Sequence, residues 1–510
     1  MSESPANSTL PDAAAEPIPP RYWWLKRILI GAGALLVLLI AMRIYWGYEA
    51  DRRIQAEIAR YRAAGQPVFP EDFVLPPIPD EDNAALLLEQ AVEIADLPYE
   101  DYHVLATLVD DPSEYASLRE QVERILESYV GALDLVRESR TRPAVRWSAL
   151  LEAPSPHRDR EIIETASKMS VLVRLAHAAL MYHDTRGDDA AAVECMRDMV
   201  FCTDSLGALA GYTITHLTTC SMTHMFKSSI EWASPRLLIN TQYGAEDAGH
   251  MPAGRRQVQS LISELLNEDG AKEGWRNAWL TERAETAEFL ASHVGRSVPA
   301  HEFLRRYRGD HRPYSPVINI GAGYLLSPLF KTCMLHECRH STAQLHAGER
   351  PDYKSANREL LRHSFPDKVI DRVVALNPSF SLSRDFVLNL HWSAISLRRM
   401  AATALAIRMY EIDHGSRPLA LADLVPDYLP YVPKDPFSED GRPISYKPDL
   451  PTPVLYCWGV NGVDEGGDSS TDPEHTMCTR DVVFHLDGPP PLEFAVPSSE
   501  QDDGGQVWRR

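Results

Sequence analysis

The chain has 510 residues, of which 24% are charged, and a formal net charge of −21 at neutral pH. That length suffices for two or more cores. The acidic excess, with no basic stripe interleaved with aromatics, speaks against a nucleic-acid partner and fits a large exposed domain kept soluble by its charge. Seven cysteines are too few for a disulfide scaffold.

Residues 1–20 are rich in Ala, Pro and Ser, lack apolar periodicity and are expected to be disordered. The stretch from Ile28 to Met42 then carries no charge. Tyr22, Trp23 and Trp24 flank it on one side, and Tyr45, Trp46 and Tyr48 on the other, as in interfacial aromatic belts. A helix from Leu25 to Ile44 would span roughly 30 Å of hydrocarbon. Lys26, Arg27 and Arg43 sit where their stems can snorkel to headgroups. No small-x-small cleavage site follows promptly, so residues 21–48 read as an uncleaved single-pass anchor that takes membrane lipid as a partner. Cations are more numerous after the span than before it, which alone would place the C-terminal side in the cytoplasm. A long following domain, however, crosses largely regardless of charge.

Glu49 to Ala64 continues as a charged helix stopped by Gly65, and Pro67 to Pro79 is a proline-rich extended stretch. Asp82-Asn83 then caps a helix over Ala84 to Ala95. The run from Ala63 to Ala91 is similar to an opening found in uncharacterised bacterial membrane-anchored proteins. Residues 49–111 thus form a charged helix and linker.

Residues 112–382 read as an α-helical domain. Apolar residues at three- and four-residue spacing predict helices over Ser113–Glu138, Arg160–Tyr182, Ala190–Leu209, Thr213–Trp232, Arg255–Asn267, Gly274–His293, Leu325–Leu345 and Lys354–His363. The turn at Arg186-Gly187-Asp188 makes one helical hairpin, and no second copy follows at a fixed period, so the domain is an irregular bundle or solenoid rather than a repeat array. Cys195 and Cys202, seven apart in this stretch, are expected in the core as small hydrophobes.

Ser383 to Asp413 is a long helix that leads into a module with a short helix over Ala420–Val425. Strands are expected near Ile444–Lys447, Val454–Gly459 and Asp481–Leu486. Asp413-His414-Gly415, the segment Leu421 to Leu429, the run Val432 to Phe437 and the stretch Val454 to Gly467 together resemble the C-terminal half of the type II secretion pseudopilin G family. The resemblance covers about a sixth of the chain and implies a small pseudopilin-like α/β module over residues 383–490, followed by a flexible tail at 491–510. It also implies that the bulk of the chain faces the outer, periplasmic side. The family's G-F-x-x-x-E processing signal is absent, since the chain reads Trp24-Leu25-Lys26-Arg27-Ile28 at that place. The fold class is therefore mainly α, with one transmembrane helix and a small C-terminal α/β module.

Three constellations could carry chemistry. Asn461, Asp464, Glu465, Asp468 and Asp472 supply hard oxygens within a Gly-rich loop, as calcium requires. The resemblance implies a calcium loop here with Asp464, Asp468 and Asp481 as ligands, and the ion would be structural. The alternative is a solvated acidic turn. His336, Glu337 and His340 match H-E-x-x-H, which on a helix places both imidazoles on one face for zinc with Glu337 activating a water. Glu359 is the third ligand of that reading, and a polar helix face is the bland one. His216, Cys220 and His224 share another helix face, either as soft metal ligands or as a packed polar stripe. Cys457 and Cys478 are either a disulfide or two free thiols. Thr281-Glu282-Arg283 resembles a short element of the uncharacterised anchored proteins and has no evident mechanism; Glu282 and Arg283 are expected to form ordinary exposed or interhelical charge contacts. There is no Walker A sequence, no G-x-G-x-x-G after a strand and no G-x-S-x-G elbow. The function expected is a membrane-anchored, non-enzymatic envelope protein that binds or scaffolds other envelope proteins. The alternatives are an anchored zinc metallopeptidase and a component related to type II secretion.

Overall fold

The computed structural model describes residues 22–150, 156–209, 211, 213–240, 251–308, 316–364, 378–468 and 480–489. The fold is mainly α with one small sheet. The chain divides into two compact units, the first made of Met1–Glu57 with His293–Lys331 and the second of Ile58–Ser292 with Thr332–Arg510.

Helix α1 runs from Trp23 to Ala63, so the apolar span and the charged stretch after it form one helix of 41 residues. Its apolar window is long enough and apolar enough to cross a membrane, and none of that window is buried by protein. The first unit also holds α10 (Ala300–Arg308) and the start of α11 (Pro316–Gly348).

The second unit is built from α2 (Ala84–Ile94), α3 (Tyr99–Asp110), α4 (Tyr115–Ser139), α5 (Pro156–Asp184), α6 (Asp189–Gly207), α7 (Thr213–Ala233), α8 (Arg255–Leu266), α9 (Asp269–Ser292), most of α11, α12 (Tyr353–Ser364) and α13 (Pro378–His414). Asn83 caps α2 by accepting from the Ala85 amide at 3.1 Å, and its amide group donates to the Arg146 carbonyl at 2.8 Å. Asp188 caps α6 through the Ala191 amide at 3.0 Å. The hairpin expected around Gly187 forms, with α5 and α6 packed side by side. One apolar core runs from Ala85 to Leu486 and draws residues from the helices and the C-terminal module alike. Helix α13 packs on α7 and α8 with Trp392, Ile395, Met400 and Leu405 buried. The boundary expected at 382/383 therefore falls inside one compact unit: the long helix is part of the bundle's core before it enters the module.

The module's sheet is antiparallel in the order β1 (Ser445–Lys447), β2 (Val454–Cys457), β3 (Val482–His485), with Leu455 opposite both Tyr446 and Phe484. Every residue of β2 is buried, since one face meets α13. The segment expected as a short helix is a 3-10 turn over Leu421–Leu424. Helices α3 and α10 and the first two turns of α11 were not anticipated by the periodicity.

Candidate functional site

The acidic loop lies between β2 and β3. Two anchors hold its start. Asp435, 1% exposed, accepts from the Phe437 amide at 2.8 Å and the Trp458 amide at 3.0 Å, and burial raises its pKa. The Arg442 guanidinium lies over the Trp458 ring, 3.3 Å from its centroid. The loop then folds on its own polar groups. Asn461 Oδ1 accepts from the Val463 amide at 2.9 Å, and Asp464 Oδ1 accepts from the Tyr456 hydroxyl at 3.0 Å and the Gly466 amide at 2.9 Å. Gly467 adopts φ of +90°, where a side chain would be strained, and its amide donates to Asp481 Oδ2 at 2.8 Å.

The result is a pair of carboxyl groups facing each other. Asp481, 5% exposed at the start of β3, stands against Glu465 with Asp464 beside them. Asp481 Oδ1 and Glu465 Oε2 are both buried, and among the described residues neither receives a hydrogen bond. Glu465 Oε1 accepts from Asn461 Nδ2 at 2.5 Å. Burial, reinforced by the neighbouring Glu465 and Asp464 and opposed by the Gly467 amide, pushes the Asp481 carboxyl up to about 7. Two buried carboxylate oxygens without a donor require either a shared proton or a cation.

The five expected calcium ligands fare differently. Asp464 and Asp481 come together, and Asn461 positions Glu465. Asp468 instead pairs with Arg480 at 2.9 Å. Asp472 lies outside the described residues, as does Cys478. Among the described residues, no three His, Cys, Asp or Glu side chains are gathered closely enough to hold a metal by themselves. A hard cation here would draw its remaining oxygens from backbone and water, as calcium commonly does.

The H-E-x-x-H segment lies on α11. His336 is buried and His340 is half-buried. Gln344 Nε2 lies 3.2 Å from His340 Nε2, and the edge of the His340 ring meets Trp279 with centroids 5.6 Å apart. Glu359 on α12 receives Arg350 at 2.7 Å and Arg362 at 3.4 Å. The carboxylate expected as a third zinc ligand is thus neutralised by arginines.

His216, Cys220 and His224 do share a face of α7. Cys220 Sγ is 3.6 Å from His216 Nε2, and burial pushes that thiol up to about 12, so it stays protonated. Burial lowers His216 and His224 to about 4. His216 packs against Trp275 and against His391 of α13, with centroids 5.4 and 5.2 Å apart, so this stripe is a neutral interior layer. The Thr281-Glu282-Arg283 element has a physical role that spacing alone did not reveal. Arg283 is fully buried, donates to Gln66 Oε1 at 2.7 Å and the Pro67 carbonyl at 3.0 Å, and lies over Tyr61. It clamps the turn that ends α1.

A second feature is a cleft of 640 Å³ between α8, α9 and the Val432–Gly441 segment, lined by Glu268, Lys272, Arg399, Lys434, Asp435 and Asp440. Arg399 joins the two sides, donating to Glu268 at 2.6 Å and to the Lys434 carbonyl at 2.7 Å. No protein-family model, curated protein or solved structure matches the chain.

Proposed function

We propose that this is a membrane-anchored, non-enzymatic binding protein whose helical unit scaffolds other envelope proteins and whose pseudopilin-like C-terminal module is closed by a structural calcium ion. The observation that carries the reading is the buried pair Asp481 Oδ1 and Glu465 Oε2, which meets no donor among the described residues. A divalent cation between them would satisfy both oxygens and remove the repulsion that raises the Asp481 pKa. Asp481 and Glu465 would hold the ion, and Asp464 would add charge. Its contribution is cohesion between β2 and β3.

The reading also fits an outward orientation. Calcium sites with few protein carboxylates are weak, in the range of 10⁻⁴–10⁻³ M for extracellular modules, and fill only where calcium is abundant. The bundle's charged cleft supports the binding role, because both signs of charge there suit a polar peptide surface.

The test is elemental analysis of the purified full chain, with calcium and zinc counted separately. About one calcium per chain, lost on Asp481→Asn, is the expected result. One zinc per chain that disappears on His336→Ala would overturn the reading in favour of the peptidase. Absence of calcium at millimolar supply would remove the structural ion from it.

A further inference from the structure

The first unit contains an apolar surface that the anchor reading leaves unused. Helix α11 begins with fifteen residues, Pro316 to Phe330, none of them charged. Tyr324, Leu325 and Leu326 are 53%, 61% and 41% exposed, three large apolar side chains in succession. Isolated exposed apolar residues are ordinary, but a contiguous patch marks an interaction site.

Its place along α1 says what covers it. Arg43, the cation that ends the apolar span, donates to the Tyr324 carbonyl at 2.8 Å and stacks on the Tyr324 ring at 4.8 Å. Eight residues further along α1, Asp51 pairs with Lys331 of α11 at 2.5 Å and accepts from the Gly295 amide at 2.9 Å. The two helices therefore run parallel and in step. Tyr324 sits at the level where the span ends, and the turns before it reach about 12 Å back along the span. Gly323 makes the local approach possible: a Cβ there would meet the Val298 carbonyl at 3.1 Å. The Val298 amide donates to Ser327 at 2.9 Å, and Phe303 stacks on Phe330 with centroids 4.2 Å apart, which ties α10 to the same helix.

We propose that the start of α11, from Pro316 to Leu326, enters the bilayer beside α1 and gives the protein a second contact with phospholipid. Fifteen uncharged residues are too few to cross, so this is an interfacial or re-entrant insertion rather than a second span. Tyr324 with Arg43 then occupies the headgroup boundary, where aromatic and cationic side chains are favoured. The second contact would fix the rotation of the anchor, which a lone helix leaves free.

The inference rests on α1 being a span, and the test separates the two. Full-length Leu325→Cys, Leu326→Cys and Val37→Cys chains are labelled with an environment-sensitive fluorophore and reconstituted in vesicles of phosphatidylcholine and phosphatidylglycerol. The unsubstituted chain is the blank. Nitroxide lipids carry the quencher either high on the acyl chain or near its methyl end, and iodide probes the water. The expected result is loss of fluorescence at Leu325 and Leu326 with the shallow nitroxide, shielding from iodide, and loss at Val37 with the deep one. Probes at Leu325 and Leu326 that iodide quenches and nitroxides do not, with Val37 still quenched from within the bilayer, would overturn the second contact and leave the span. An unquenched Val37 would overturn both.

Discussion

Replacing Asp481 by Asn should stabilise the protein in a calcium chelator and destabilise it in calcium. The folded pKa of Asp481 is near 7, against 3.8 for an unperturbed aspartate. Between those values the folded state holds a proton that the unfolded state has released. Stability is thus fully present below about 3.8 and is lost as pH rises through about 7. Roughly three pK units at about 1.4 kcal/mol each set an upper bound near 4 kcal/mol. Asn cannot ionise, and its amide can donate to Glu465 Oε2. In chelator at about pH 8 the variant should exceed the parent by up to that amount, and the difference should vanish at about pH 4. In calcium the order reverses: a site at a hundredfold over its Kd gains about 2.7 kcal/mol, which the variant forfeits.

The assay is urea unfolding of the full chain in detergent, at several pH values, with chelator or calcium. The parent curve alone misleads, because buried His177, His216 and His224, each held near 4 by burial, gain stability as pH rises through the lower part of the same window. The variant-minus-parent difference cancels them. A variant that is less stable than the parent in chelator at about pH 8, or a parent indifferent to calcium, would refute the reasoning.

Three further predictions follow from the interior. Arg398, 0% exposed, binds Asp204 twice, at 2.7 and 3.0 Å, and donates to the carbonyls of Glu264, Leu265 and Asn267. Arg398→Met leaves the Asp204 carboxylate, 27% exposed, without its cation and three carbonyls without their donor, and should cost up to about 3 kcal/mol in chemical denaturation. Arg283→Lys keeps the charge but loses the fork to Gln66 and Pro67, so amide exchange at Gly65, Gln66 and Val68 should speed up while core amides stay protected. His177 is fully buried, with Nδ1 2.7 Å from Ser229 Oγ and Nε2 3.2 Å from the Leu108 carbonyl, and burial depresses its pKa to about 4 from 6.5. A depressed histidine contributes stability above 6.5 that is lost as pH falls toward 4, here up to about 3 kcal/mol, and His177→Asn should flatten that acid limb in pH-dependent denaturation.

Periodicity located most helices and the strands because each buries one face on a shared core, and burial is what periodicity records. It missed the start of α11 for a physical reason. Gly321 and Gly323 are weak helix formers, yet Gly323 is where backbone must come close to Val298. The nine residues of α10 offer few repeats to count, and α3 buries only Leu105 and Leu108, too few to mark a face. The candidate sites pose a different difficulty. Spacing identifies which residues carry oxygen or nitrogen ligands, but not which of them a distant cation claims first. Asp468 has the composition of a calcium ligand, yet Arg480, twelve residues on, takes it at 2.9 Å. Glu359 has the position of a zinc ligand, and Arg350 takes it at 2.7 Å. Arg350 lies outside the H-E-x-x-H motif, and Arg480 lies within the loop beside Asp481, yet spacing does not say which carboxylate either arginine will claim. What distinguishes Asp481 is that its buried Oδ1 meets no donor among the described residues. A buried carboxylate oxygen that the fold leaves without any donor is therefore the more informative signal, and it exists only once the chain has folded.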